Sequence, residues 1–119
     1  MTQGFSGMKN TVIKKIGVDM NKFAVMKHKN AIDSEILLIT QEECAEVTQA
    51  ISKVFRFGMD DEYKGQTNRE HLEEELGDLM CMIELLIENG IVSEAALLTA
   101  KNEKLNKLMT WSNIFKDAA

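Results

Sequence analysis

Two matching groups of acidic residues on segments of helical periodicity constrain this 119-residue chain more than any other feature. Each group contains an i,i+3 pair of carboxylates, Glu43 with Glu46 and Glu75 with Asp78. At about 100° per residue, each pair falls on the side of its helix that carries the Ile, Val, Leu and Met residues. Surface helices normally turn carboxylates to solvent and apolar residues to the core. We therefore expect these four carboxylates to point towards the interior.

Carboxylates buried together are costly, because an apolar setting favours the protonated form and each charge raises the pKa of its neighbours. Four of them at one place need cations to stay ionised. An oxygen-only ligand set without His or Cys favours Mg²⁺, with Mn²⁺ as a substitute, over zinc or copper. The rival interpretation, solvated acids on two Glu-rich helices, suits any single Glu better than two pairs on apolar faces.

Composition narrows the class of protein. Hydrophobic residues make up 45% and charged residues 28%, which is typical of one globular domain, here residues 1–119. A net charge of −5 argues against nucleic-acid binding. No apolar run is long enough for a membrane span and no secretory signal is recognisable, so we expect a cytoplasmic protein. Cys44 and Cys81 fall within helical segments and are expected as reduced thiols.

The pattern along the chain predicts an all-α fold. A helix capped by Asp33 or Ser34 should run to about Phe57 and stop at Gly58, followed by a polar loop to residue 66. No segment alternates with period two for long enough to form a strand. A capping box at Thr67–Glu70 should open a second helix, which ends at Asn89–Gly90. Ser93 should cap a last helix that reaches about Phe115. Short helical pieces are expected within residues 1–30.

The two acidic helices should form an antiparallel neighbouring pair, since only a short loop joins them. Glu46 lies about 16 Å before the end of its helix, and Glu75 lies about 12 Å after the start of the next. Antiparallel packing then brings the two acidic pairs to nearly the same height. The expected architecture is a helical bundle of two long antiparallel acidic helices with N- and C-terminal helices.

Two motifs on these helices resemble a known family. Residues 42–46 match a Glu-Glu-x-x-Glu motif and residues 75–78 match a Glu-x-x-Asp motif on the following helix. Together, in this order, they resemble the MazG-like all-α nucleoside triphosphate pyrophosphohydrolases over about Asp33 to Trp111. The resemblance implies cleavage of a (d)NTP between the α- and β-phosphates, giving a nucleoside monophosphate and pyrophosphate.

Carried over to this sequence, the family's metal ligands are Glu43, Glu46, Glu75 and Asp78, which would hold Mg²⁺. Glu42 lies about 100° round the helix from Glu43, where it could support the ligands, position the attacking water or simply be solvated. Glu46 and Glu42 are the candidates for the general base. The resemblance also implies a homodimer or homotetramer.

Phosphate groups need protein cations as well, and lysines on two helices are candidates. Lys101 shares the face of the last helix with several leucines, and Lys104 lies one turn on at its edge. Either could reach an anion or extend to solvent. Family members often place an Asn one turn after such a Lys, where this chain has Leu105. Further phosphate candidates are Lys53 and Arg56, and candidates for stacking on a base are Phe23 and Trp111.

Three alternatives differ in chemistry. A phosphoribosyl-ATP pyrophosphohydrolase is less favoured, because residues 79–82 lack the Tyr-His associated with that branch. A di-iron protein would need Glu-x-x-His, and neither His28 nor His71 stands three residues after a Glu. A non-enzymatic nucleotide-binding helical protein is the third. The sequence does not identify the preferred base or sugar.

Overall fold

The computed structural model describes residues 31–116 and confirms the all-α class over that range. Three helices account for most of it, and a short hairpin joins the first two. The elements are α1 (Ala31–Phe57), β1 (Glu62–Tyr63), β2 (Gln66–Thr67), α2 (Asn68–Glu88) and α3 (Glu94–Trp111). Two compact units are distinguished, one ending at Leu86 and the other beginning at Ile87. That residues 1–119 form one domain stays a prediction.

The junction between α1 and α2 is closed by hydrogen bonds at the facing helix ends. Gly58, with φ of 91°, donates its backbone N–H to the carbonyl of Val54 at 2.8 Å and ends α1 as the sequence predicts. The buried side chain of Asn68 donates from Nδ2 to the carbonyl of Gly58 at 2.8 Å. The end of α1 is thereby tied to the start of α2, so the chain reverses direction between them.

The predicted loop between α1 and α2 contains a two-stranded antiparallel hairpin, which the sequence analysis missed. Glu62 pairs with Thr67 and Tyr63 with Gln66. Lys64 and Gly65 connect the strands with φ of 53° and 78°. Positive φ at both central residues is the geometry of a type I′ turn, whose twist matches that of paired strands. Strands of two residues are too short to show an alternating pattern, which explains the omission.

The predicted capping box at the start of α2 is confirmed. Thr67 Oγ1 accepts the backbone N–H of Glu70 at 3.1 Å, and a carboxylate oxygen of Glu70 accepts the backbone N–H of Thr67 at 3.2 Å. These hydrogen bonds to Thr67 lower the pKa of Glu70. The next N–H groups of the helix donate to loop carbonyls, Asn68 to Asp61 at 3.0 Å and Arg69 to Met59 at 2.9 Å.

The buried apolar residues of α1 and α2 lie on the faces that the helical periodicity marks as interior. Ile36 and Ala50 are buried on α1, and Met82 and Leu86 are buried on α2. These are the faces that also carry the acidic pairs. The predicted apolar stripe is thus confirmed on both helices.

The third helix is described by itself. Ser93 caps it as predicted, since its Oγ accepts the N–H of Ala96 at 3.3 Å. The predicted end at Phe115 is wrong, because α3 stops at Trp111. There the backbone N–H and the hydroxyl of Ser112 both donate to the carbonyl of Leu108, at 3.0 and 2.7 Å. No residue of α3 is buried.

Three further predictions concern the start of α1, residues 1–30 and a possible membrane span. Helix α1 already begins at Ala31, so Asp33 and Ser34 lie inside it rather than capping it, and both are buried. An acidic residue in the first turn is favourable there because of the helix dipole. The predicted short helices of residues 1–30, together with Phe23 and His28, lie outside the described residues. Between residues 31 and 116, no helix combines the length and apolar character of a membrane span.

Candidate metal centre

Three carboxylates from two helices converge at one place. Glu43 of α1 and Glu75 and Asp78 of α2 each offer an oxygen within 4.8 Å of the others. Glu75 and Asp78 are neighbours because i,i+3 residues share a helix face, and Glu43 reaches them from the antiparallel helix. We call these three residues the carboxylate cluster.

The cluster spans the boundary between interior and solvent. Glu43 and Glu75 are half-buried, and the Glu75 side chain is only 12% exposed. Asp78 and Glu46 are exposed. The expectation that all four carboxylates point inwards is therefore wrong for these two, since an i,i+3 partner lies about 60° round the helix and reaches its edge.

The electrostatics of the cluster are concentrated on Glu43. Its pKa is raised above the ordinary value of 4.5, first by desolvation and then by the charges of Asp78 and Glu75, with smaller contributions from Glu46 and Glu42. Within residues 31–116, neither Glu43 nor Asp78 forms an ion pair with a Lys or Arg. Among the described residues, the cluster thus combines repelling carboxylates with no lysine or arginine paired to Glu43 or Asp78.

Glu46 and Glu42, the other predicted site residues of α1, lie beside the cluster and outside it. Both are exposed, and both charges act on Glu43 from the same helix. Glu46 as a metal ligand, and either residue as the general base, stay predictions.

One residue of this region, His71, was given no role at the site from the sequence. Its Nε2 lies 3.2 Å from Oε1 of Glu75, one turn along α2. The His71 side chain is 23% exposed. The signal in the sequence was the i,i+4 spacing of a His and a cluster carboxylate, which places two side chains side by side on a helix.

A small pocket opens next to His71, between the hairpin and the C-terminal half of α1. We call it the hairpin pocket; its volume is about 220 Å³ and it is lined by Lys53, Tyr63, Lys64, Gln66, Asn68 and His71. The predicted phosphate ligand Lys53 is half-buried here. Arg56, the other candidate on α1, is exposed and lines a neighbouring groove of about 450 Å³, which Lys53 also lines.

The remaining candidates lie on α3. Lys101, Lys104 and Trp111 are exposed, and the side chain of Trp111 is part of no buried core. The apolar face that Lys101 shares is itself exposed at Leu97, Leu98 and Leu105. Phosphate binding by the two lysines stays a prediction.

The donor set of the carboxylate cluster fits a hard divalent cation. Mg²⁺ binds oxygen at about 2.1 Å, so two of its ligands are at most about 4.2 Å apart. The ligand oxygens of the cluster lie within 4.8 Å of one another, and a rotamer adjustment would bring them to that spacing. A cation there would also offset the repulsion that raises the pKa of Glu43.

Of the comparisons with known proteins, the one with protein-family models found a match. Comparisons with curated proteins and with solved structures found no significant match. The family model of the MazG nucleotide pyrophosphohydrolase domain matches residues 33–107, which is more than half of the chain and includes both acidic motifs. The chain therefore belongs to the MazG nucleotide pyrophosphohydrolase domain family.

Proposed function

We propose that this protein is a Mg²⁺-dependent hydrolase that cleaves a (d)NTP between its α- and β-phosphates, releasing a nucleoside monophosphate and pyrophosphate. The observation that carries the proposal is the convergence of Glu43, Glu75 and Asp78 from two helices. A triphosphate is strongly anionic, so a site made of carboxylates can hold it only through cations. The family of the chain supports the reaction class.

Within this proposal the three cluster carboxylates hold the metal, and Glu46 completes the set from the exposed edge of α1. A Mg²⁺ ion at this position would neutralise phosphate oxygens and orient the attacking water. Glu42 and Glu46 are the candidates to take a proton from that water, since both carboxylates lie beside the cluster. His71 holds Glu75 in place through its 3.2 Å contact.

Lysines would bind the phosphate oxygens that face away from the metal. Lys53 is supported by its place in a pocket that His71 also lines. Lys101 and Lys104, both exposed on α3, are further candidates because a lysine on an apolar stripe suits binding to an anion.

A homodimer or homotetramer of this single-domain chain is part of the proposal. Large apolar side chains are exposed on each of the three described helices, and exposed apolar surface is typical of subunit contacts. The most exposed on each helix are Phe55 of α1 at 86%, Met80 of α2 at 63% and Trp111 of α3 at 85%. Analytical ultracentrifugation of the purified chain would test this; a strict monomer at micromolar concentration would contradict it.

The experiment that tests the function is a screen of the common ribo- and deoxyribonucleoside triphosphates, with pyrophosphate release as the readout. We expect release of pyrophosphate and a monophosphate with Mg²⁺, and none after chelation. Release of orthophosphate and a diphosphate instead would refute the cleavage position.

A thermal-shift measurement with Mg²⁺ and a non-hydrolysable dNTP separates an enzyme from a non-catalytic helical protein. Stabilisation by both together is expected of the proposed enzyme. A protein that only contacts other proteins should respond to neither.

A further inference from the structure

We propose that the hairpin pocket is the subsite for the β- and γ-phosphates, the diphosphate that leaves as pyrophosphate. The inference rests on the proposed function and extends it to residues that neither acidic motif contains. The hairpin residues Lys64 and Gln66 contribute to it together with Lys53 and His71.

The lining of the pocket suits an anion. Lys53 and Lys64 bring two positive charges, and none of the described residues that line this pocket is an Asp or Glu. The phenol of Tyr63 and the amides of Gln66 and Asn68 add hydrogen-bonding groups. Its volume of about 220 Å³ lies below the 300 Å³ or so at which pockets hold a whole drug-sized molecule. A part of a nucleotide, such as its terminal phosphates, fits this size.

The hairpin holds Lys64 in a defined position. The type I′ turn fixes its backbone at φ of 53°, and its Nζ lies 5.3 Å from the centre of the Tyr63 ring. On the other strand, Gln66 donates from Nε2 to a Glu74 carboxylate oxygen at 2.8 Å, which ties the hairpin to α2. Lys64 is exposed, and its contact with the Tyr63 ring restricts the side chain, which lowers the side-chain entropy lost on binding an anion.

His71 places the pocket next to the carboxylate cluster. His71 lines the pocket, and its Nε2 lies 3.2 Å from a Glu75 carboxylate oxygen. A polyphosphate that engages a metal at Glu75 can therefore extend past His71 towards Lys53 and Lys64. The pocket and the cluster belong to the same compact unit, which ends at Leu86.

An adjoining cavity of about 400 Å³ shows why the phosphates are assigned to the smaller pocket. It shares Lys53, Tyr63 and Asn68 with the hairpin pocket, and its other lining residues are Phe57, Asp61 and Glu62. Two carboxylates there would repel a phosphate chain. The charge distribution thus favours the anion in the hairpin pocket.

The test is isothermal titration of the full chain with inorganic pyrophosphate in Mg²⁺-containing buffer. Lys64→Gln should weaken pyrophosphate binding about tenfold, because a charge-assisted hydrogen bond is lost, and Lys64→Arg should retain most of it. The matched control is Arg69→Gln, which removes a positive charge from an exposed Arg69–Asp60 pair outside the pocket. It should change binding less than twofold.

The outcomes separate the subsite from the function. Pyrophosphate affinity that is equal in the wild type, Lys64→Gln and Arg69→Gln overturns the subsite, even if the protein hydrolyses a dNTP. Equal weakening by both glutamine variants also overturns it, since the effect would then be general electrostatics. Lys64-dependent binding without hydrolysis of any triphosphate supports the subsite and refutes the function. Thermal unfolding of Lys64→Gln checks that the hairpin survives the change.

Discussion

The acidic segments of α1 and α2 have the same i,i+3 spacing, yet they contribute unequally to the carboxylate cluster. Helix α2 supplies both members of its pair, Glu75 and Asp78, whereas α1 supplies Glu43 and leaves Glu46 exposed outside the cluster. Exposure alone does not explain the difference, because Asp78 is exposed too. The difference comes from the position of each residue along its helix relative to the other helix.

Helical angles decide which face a carboxylate occupies, and the register of the two helices decides which carboxylates meet. The register is set at the hairpin end, where the Asn68 side chain donates to the carbonyl of Gly58. From that point each helix advances by 1.5 Å per residue in opposite directions. One turn separates Glu43 from Glu46, as it separates Glu75 from Asp78, so the spacing within a pair does not by itself decide which carboxylates join the cluster.

The largest effect is expected when a cluster member of either helix loses its charge. Glu43→Gln and Asp78→Asn should each lower turnover by about 100-fold or more, because changing even residues behind a metal ligand costs about 10- to 100-fold. Pyrophosphate release at saturating Mg²⁺ is the measurement, with circular dichroism to show unchanged helical content. The control is Glu73→Gln, an exposed carboxylate of α2 outside the cluster.

If one of the two variants kept normal turnover, that residue would leave the proposed site. Without Glu43 the cluster would contain no residue of α1, and without Asp78 each helix would contribute one carboxylate.

The register itself can be broken at Asn68. Replacing it by Ala removes the hydrogen bond to Gly58 and leaves a carbonyl unsatisfied, which should lower the free energy of unfolding by about 1–3 kcal/mol. Urea denaturation of Asn68→Ala is the measurement, with Asn102→Ala on the exposed surface of α3 as the control. A change within about 0.5 kcal/mol, as for an ordinary surface substitution, would mean that this contact does not hold the helices in register.

Much of this arrangement follows from local rules in the sequence. The stop at Gly58, the capping box at Thr67 and the cap at Ser93 depend on side chains and backbone within a few residues, and all three are confirmed. The apolar faces of α1 and α2 were also predicted correctly, since they depend on periodicity alone.

The features that escaped prediction depend on contacts between segments. The hairpin is too short to show a strand pattern, and its turn residue Lys64 is less typical of a type I′ turn than Asn or Asp. The contact of His71 with Glu75 has a helical spacing, but only the half-buried position of Glu75 makes it notable. The exclusion of Glu46 from the cluster required the register, which no single helix encodes.

A smaller effect should distinguish Glu46 from Glu43. As a residue at the edge of the cluster, Glu46 should contribute less to the metal, so Glu46→Gln should weaken Mg²⁺ affinity about tenfold. Calorimetric titration with Mg²⁺ measures it, and turnover at saturating Mg²⁺ then tests the role as general base. A fall in turnover that excess Mg²⁺ does not restore would favour Glu46 as the base. An affinity loss equal to that of Glu43→Gln would remove the asymmetry between the two pairs.

The smallest effect concerns the stability of the metal-free protein and its dependence on pH. Desolvation and the charges of Asp78, Glu75, Glu46 and Glu42 raise the pKa of Glu43, so the folded state binds the Glu43 proton more tightly than the unfolded state does. Ionised Glu43 therefore destabilises the fold at neutral pH, and this penalty disappears as the pH falls below the ordinary value of 4.5.

In a chelating buffer at pH 7, Glu43→Gln should accordingly melt at a higher temperature than the wild type, and the difference should vanish as the pH falls below 4.5. Addition of Mg²⁺ should raise the melting temperature of the wild type and leave that of Glu43→Gln nearly unchanged, because a cation relieves the same repulsion that the substitution removes. Glu73→Gln should shift neither measurement. If metal-free Glu43→Gln melts at or below the temperature of the wild type at pH 7, Glu43 is a structural carboxylate. The repulsion between the carboxylates at this position would then not indicate a metal site.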